Sequence, residues 1–179
     1  LVLAWVMRIP LRLKPRDHIF AFIVGATQFC LNFNFIYQAE QVVTSGLVAL
    51  VFAMLVGPNA LLAWLFLRQG VSMRFTFGTG VALVGLTLFL APEVATSSAG
   101  REGTIVGLIF IVAGVFSASI ANEMQATSRA RSLPMISFLA WAMLWGALAD
   151  AVWATIIAGP PTFDFRPSYV AGLLYLGVI

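Results

Sequence analysis

Five long apolar runs separated by short polar linkers constrain this chain more than any other feature of its sequence. The runs cover residues 18–37, 44–67, 75–92, 104–126 and 134–158. A helix needs roughly 20 apolar residues to cross about 30 Å of hydrocarbon, and each run is close to that length. Buried strands are the weaker alternative, because strands are shorter than these runs. Two more apolar runs, at 1–7 and 169–179, are predicted to belong to a preceding and a following helix.

The amino-acid composition is typical of a membrane-embedded chain. Of the 179 residues, 61% are hydrophobic and 9% are charged. Soluble domains are about 45–50% apolar and about 25% charged. We therefore predict an all-α, polytopic membrane helix bundle with five complete and two partial helices, embedded in the lipid bilayer. The chain starts at Leu1 rather than methionine and stops within an apolar run, so we expect it to be a piece of a longer protein.

The sequence lacks the residues that several classes of function require. Cys30 and His18 are the single cysteine and the single histidine, so we expect no disulfide within the chain and no metal site. The sequence holds no zinc-protease, serine-hydrolase or nucleotide-loop motif, and we predict neither a cofactor nor an enzyme. An intramembrane enzyme remains the least favoured hypothesis, because no acids, histidines or nucleophiles cluster. The net charge of +3 does not indicate nucleic-acid binding.

The basic residues are unevenly shared among the linkers. Eight of the ten lysines and arginines fall in three alternate linkers, 8–17, 68–74 and 127–133. Cytoplasmic loops of membrane proteins carry an excess of lysine and arginine. The pattern therefore predicts that these three linkers are cytoplasmic, in a multi-pass protein of the inner (plasma) membrane.

Small residues recur at helical spacing in three of the runs. Because lipid gives helices no hydrophobic reason to associate, such stripes let neighbouring backbones approach closely. We expect them to form helix contacts, although glycine and alanine are also common in membranes. The stripes comprise Gly46, Ala49, Ala53, Gly57 and Ala60; Gly78, Ala82 and Gly85; and Gly107, Gly114, Ser117 and Ala121.

Polar residues inside apolar runs are the candidate functional residues. In the first run, Gln28 and Asn32 lie four residues apart, while Asn34 is more than 100° around the helix. In the second, Pro58 should kink the helix and leave the carbonyl of Met54 free, with Asn59 beside it. These amides either bond neighbouring helices or line a substrate pathway, and Pro58 is either a simple kink or a hinge.

The run 134–158 carries an acid and two tryptophans. Asp150 lies about 16 residues into this helix, or roughly 24 Å from its cytoplasmic end at about 1.5 Å per residue. Charged groups within the bilayer are costly, so they often mark a functional site. We place Asp150 in the candidate pathway, and we expect Trp141 and Trp145, four residues apart, to wall a cavity.

A weak internal repeat links the two ends of the chain. The segments 15–25 and 167–177 each place a proline ten residues before a glycine, and each opens a membrane helix. With five helices between them, they would enter the membrane from opposite sides. This pattern is typical of inverted repeats in secondary transporters, although two matching positions also arise by chance.

The segment AEQVVTSGL at 39–47, with Tyr37, Pro58, Gly80 and Gly85, resembles the EamA-like members of the drug/metabolite transporter superfamily. The resemblance implies ten helices arranged as two inverted five-helix repeats. Residues 1–93 would then be part of the first repeat, and residues 103–179 part of the second. It also implies a secondary transporter, with export as the expected direction, that moves a small metabolite or drug-like solute by alternating access.

A membrane scaffold or accessory subunit without transport is the alternative. It requires every intramembrane polar group to be satisfied by a neighbouring helix, with no central cavity. A small-molecule substrate is the partner expected for a transporter, and a second copy of the chain is a further candidate partner.

The alternation of linkers is directly testable. In the intact protein, reporter fusions or labelled cysteines at Arg12, Arg68 and Arg131 should all report the cytoplasm, whereas a reporter at Ser98 should report the opposite side. Finding Arg12 and Ser98 in the same compartment would contradict the predicted orientation.

Overall fold

A computed structural model of the chain describes residues 11–96, 100–160 and 165–178. Every regular element within these residues is a helix, and five helices are long and apolar enough to cross a membrane. The predicted membrane helix bundle is thus confirmed. In chain order the helices are α1 (Pro15–Glu40), α2 (Ser45–Leu67), α3 (Met73–Thr96), α4 (Gly100–Ala126), α5 (Ser128–Arg131), α6 (Met135–Ala158) and α7 (Pro167–Val178).

The structure describes one of the two predicted partial helices. The predicted following helix is present as α7, whereas the run 1–7 lies outside the described residues. The short helix α5, within the linker 127–133, was missed by the sequence analysis. Thr127 caps it, since its hydroxyl oxygen accepts a hydrogen bond from the Ala130 amide at 3.4 Å. A threonine before a short helix is a usual N-cap, so the signal was present.

Helix α1 is the shared neighbour of α4 and α6. It runs parallel to α6 and antiparallel to α4, as an alternating series of crossings requires. In the contacts with α6, the residue numbers of both helices increase together: His18 contacts Trp141, Gly25 contacts Gly146, and Asn34 contacts Asp150. The contacts that α1 and the turn after it make with α4 run in opposite order: Thr27 with Ser117, Asn32 with Gly114, and Val43 with Gly107.

Glycine permits the closest approach, between α1 and α6. A Cβ added at Gly146 would lie 2.6 Å from the Gly25 carbonyl oxygen and 2.7 Å from the Cβ of Phe29. A Cβ added at Gly25 would collide with the carbonyl oxygen of Ala142. The two backbones therefore touch directly, as in other membrane helix pairs built on small residues.

The predicted stripe on α4 is confirmed as a contact surface. Gly107, Gly114, Ser117 and Ala121 are all buried. A Cβ at Gly114 would lie 3.0 Å from the Ile36 side chain, and one at Gly107 would lie 2.7 Å from Val43. Helix α4 is accordingly the most buried of the five membrane-length helices.

The prediction of equally close contacts through the stripes on α2 and α3 was wrong for the described residues. A Cβ added at Gly46, Gly78 or Gly85 would meet nothing within 4 Å, and one at Gly57 would only reach the Thr79 side chain at 3.5 Å. Helix α3 instead turns large apolar side chains outward, as expected of a surface that faces lipid.

Helix α2 is interrupted, but not in the way predicted for Pro58. Its two parts, Ser45–Ala53 and Val56–Leu67, are separated by a turn at Met54 and Leu55. The Met54 carbonyl is not free, because the Gly57 amide donates to it at 2.9 Å. Since proline has no N–H to offer, the chain tightens by one residue and satisfies that carbonyl locally.

The contact between α1 and α6 gives a stability prediction. Replacing Gly146→Ala should lower the stability of the intact protein by about 1–3 kcal/mol, because overpacking forces the two backbones apart. The matched control Gly85→Ala, which places its methyl group in open space, should leave stability unchanged. Unfolding in detergent measures both, and equal behaviour of the two variants would contradict the proposed helix contact.

Candidate functional site

Helix α1 changes its winding where its polar residues begin. Residues Ala26–Leu31 form a π-helical segment between the α-helical parts Pro15–Gly25 and Asn32–Glu40. The backbone N–H of Asn32 accordingly donates to the carbonyl of Thr27, five residues earlier in the chain. π-helical turns are rare, disturb the regular backbone ladder and are frequent at functional sites.

Side chains from within and outside α1 satisfy the disturbed backbone. The Ser117 hydroxyl of α4 donates to the Thr27 carbonyl at 2.8 Å, and the Asn34 amide donates to the Cys30 carbonyl at 2.9 Å. The Thr27 carbonyl thus accepts from both the Asn32 backbone amide and the Ser117 hydroxyl, so these side chains add hydrogen bonds to the backbone of the π-helical segment.

The same Asn34 amide group joins α1 to α6. Its Nδ2 donates to Asp150 Oδ1 at 2.6 Å and also lies 3.8 Å from the sulfur of the buried Cys30. We call Cys30, Asn34 and Asp150 the Asp150 cluster. A hydrogen bond from an amide to a carboxylate is short and strong, so this contact ties the winding of α1 to the position of α6.

Two other amides of α1 have side-chain oxygens that are buried without a hydrogen-bond partner in the described part of the chain. Asn32 is 4% exposed, and its side-chain oxygen has no hydrogen-bond partner among the described residues. The side-chain oxygen of Gln28 is likewise buried without one. A buried polar group left unpaired costs about 1–3 kcal/mol. Asn59 on α2 and Ser119 on α4 add two more such oxygens.

The two tryptophans of α6 lie against the first turns of α1. Trp141 and Trp145 stack with ring centroids 6.3 Å apart, and His18 contacts Trp141 edge-on at 4.5 Å. The Trp141 indole donates to the Leu11 carbonyl at 2.7 Å. The indole nitrogen of Trp145 and Nδ1 of His18 are buried without a partner in the described structure. This aromatic cluster therefore closes one end of the contact between α1 and α6.

Pro58 and Asn59 lie on α2, which contributes no residue to the Asp150 cluster or to the aromatic cluster. Pro58 lines a cavity of about 390 Å³ between α2, α3 and α4, together with Met54, Thr79 and Val115. The described walls of this cavity are apolar except for Thr79. The structure thus brings Asn34 to Asp150 and Trp141 to Trp145, but it does not gather all eight candidate residues into one site.

The side-chain contacts described for this site are hydrogen bonds and ring contacts. Within the described residues, no three or more histidine, cysteine or acidic side chains come together in a way that could hold a metal ion. Sequence reasoning missed Ser117, Thr27 and Cys30 as parts of the polar interior. Hydroxyl groups in membrane helices usually bond their own backbone, so no sequence signal distinguished Ser117.

These features define a polytopic membrane protein with polar groups held inside its helix bundle. A family model of solute carrier family 35 (SLC35F) matches residues 13–179, and the chain belongs to this family. The family lies within the drug/metabolite transporter superfamily, which confirms the resemblance found in the sequence.

The chain also resembles one curated protein, whereas no solved structure matches it. The chain is similar to Protein PagO of Salmonella typhimurium (strain LT2), with 25% identity over 177 residues. The aligned region covers 99% of this chain and 57% of PagO, so the chain spans little more than half of that relative's length.

The link between α1 and α6 can be measured by a double-mutant cycle. The variants Asn34→Ala, Asp150→Ala and the double variant, made in the intact protein, should show a favourable coupling of roughly 1–2 kcal/mol. The reason is that Asn34 and Asp150 share one charge-assisted hydrogen bond. Additive effects on unfolding in detergent would show that the two side chains do not interact.

Proposed function

We propose that the intact protein is a secondary transporter of a small metabolite or drug-like solute, and that α1 lies on the substrate pathway. The observation that carries this proposal is the pair of buried, unpartnered amide oxygens on Gln28 and Asn32. They lie in or directly beside a π-helical segment, next to the hydrogen bond between Asn34 and Asp150. Membership of a solute carrier family supports the same function.

The unpartnered oxygens favour transport over a scaffold. A purely structural membrane protein has no reason to retain buried acceptors that cost about 1–3 kcal/mol each. A transporter needs acceptors that bind a solute briefly and then release it. The apolar cavity at Pro58 and the interrupted α2 beside it also suit a structure that repacks during alternating access.

Each candidate residue has a proposed role in this scheme. Gln28 and Asn32 accept hydrogen bonds from the solute. Asn34 connects Asp150 to the π-helical segment, because its side chain donates to both the Asp150 carboxylate and the Cys30 carbonyl. Pro58 and Asn59 allow α2 to bend. Trp141 and Trp145, packed against His18, close the pathway at the end where α1 begins.

The proposed orientation places the basic linkers in the cytoplasm and the protein in the inner (plasma) membrane. Arg129, which follows α4, contacts Asp17 and the backbone of Arg16 at the start of α1, so two basic linkers meet at one end of the bundle. We further propose that residues 1–93 and 103–179 belong to two inverted repeats, and that transport is directed outward.

Transport by the intact protein in proteoliposomes tests this proposal. If Asp150 couples flux to protons, Asp150→Asn should abolish acceleration by a pH gradient but leave solute exchange in place. The matched control Glu40→Gln removes an exposed carboxyl group at the far end of α1 and should retain gradient-driven flux.

Two results would count against the proposal. Unchanged gradient-driven flux in Asp150→Asn would remove Asp150 from the mechanism. Failure of the folded protein to move any solute in a broad panel of metabolites would favour the scaffold.

A further inference from the structure

A second candidate binding site lies at the end of the bundle where α1 and α6 begin. A cavity of about 880 Å³ opens there between the linker before α1, the first turn of α1 and the linker between α5 and α6. We propose that this cavity binds the phosphate headgroup of an anionic phospholipid. No residue that lines this cavity belongs to the proposed transport pathway, although Trp141 of that pathway holds the linker before α1 through its hydrogen bond to Leu11.

The charge of the cavity points to an anion. Four basic side chains and one acidic side chain line it: Arg12, Lys14, Arg16, Arg129 and Asp17. Asp17 is paired with Arg129 at 3.2 Å, so it offsets one basic group and leaves the other three uncompensated in the described lining. A phosphodiester supplies one negative charge and oxygen atoms that arginine and lysine bind well.

Tertiary contacts hold Arg129 and the backbone of the linker before α1, whereas the side chains of Arg12, Lys14 and Arg16 are exposed. The Arg129 guanidinium donates to the Arg16 carbonyl at 2.8 Å and lies 4.9 Å from the centre of the Phe20 ring. The Trp141 indole bonds the Leu11 carbonyl at 2.7 Å, which fixes the linker just before Arg12. Because the backbone of the linker and the Arg129 side chain are held before binding, only the side chains of Arg12, Lys14 and Arg16 have to be ordered by the ligand.

Two helices direct their N-termini toward this end. Helices α1 and α6 begin side by side, and neither Lys14 nor Pro134, their N-cap residues, forms a side-chain cap. Helix N-termini carry partial positive charge, so they reinforce the attraction of the basic side chains for an anion.

The surroundings favour a lipid over a soluble phosphate compound. Met135 directly follows Pro134, which lines the cavity, and is 78% exposed; Ile19, one turn into α1, is 63% exposed. Both side chains belong to membrane-length helices and are placed to contact acyl chains. A headgroup in the cavity would therefore leave its two chains in the hydrocarbon beside α1 and α6.

Lipid binding by the purified intact protein tests the proposal. Native mass spectrometry or thermal shifts in detergent should show preferential binding of phosphatidylglycerol over phosphatidylcholine. The variant Arg12→Gln/Lys14→Gln should weaken phosphatidylglycerol binding roughly 30-fold, since each basic group near an anionic surface contributes a factor of about five. The control Arg68→Gln/Arg74→Gln removes two basic residues outside the cavity lining and should keep the preference.

A second variant guards against misfolding in the first. Trp141→Phe retains every charge but removes the hydrogen bond to Leu11, so it should weaken phosphatidylglycerol binding without changing phosphatidylcholine binding. Equal losses in the Arg12/Lys14 and Arg68/Arg74 variants would overturn the proposal, because they would indicate unspecific attraction. Displacement of phosphatidylglycerol by millimolar glycerol phosphate would overturn it in favour of a soluble phosphate ligand.

Discussion

In hydrocarbon, a backbone or side-chain polar group must find its hydrogen-bond partner within the protein, and this constraint governs the whole structure. It accounts for the helices, which satisfy their own backbone groups. It also bears on the π-helical segment of α1: the Asn32 backbone amide and the Ser117 hydroxyl donate to the Thr27 carbonyl, and the Asn34 side chain donates to the Cys30 carbonyl. Where α2 is interrupted, the backbone amide of Gly57 donates to the Met54 carbonyl. Irregular winding therefore occurs where a donor lies nearby.

Close packing against α1 then decides which groups are buried. Because Gly25 and Gly146 allow direct backbone contact, α6 lies close enough for Asp150 to reach Asn34. Glycine and serine on α4 also let that helix pack against α1, at a somewhat greater separation. Asn32 is buried by this arrangement, although it receives no donor for its oxygen. The same contacts that stabilise the bundle thus leave acceptors that a solute could use.

The two proposed sites rest on opposite features of one helix pair. Further along these helices, α1 offers acceptors and α6 offers a carboxylate, which suits a solute that donates hydrogen bonds. At their shared N-terminal end, the same helices offer basic side chains and helix dipoles, which suit an anion. Membership of solute carrier family 35 bears on the first site. The second follows from local charge and from the Trp141 contact that holds the linker.

The sequence by itself determined the number, limits and alternating direction of the membrane helices, because length and hydrophobicity decide whether a segment can span a bilayer. It also pointed to the polar residues of α1 and to Asp150. Only the tertiary structure decided which of them meet. Asn34 reaches Asp150 across 116 residues, whereas Pro58 on α2 lines a different, apolar cavity. Glycine stripes look alike in sequence, yet those on α4 pack closely and those on α3 face outward. Partner choice depends on how whole helices are arranged, and no local pattern records that.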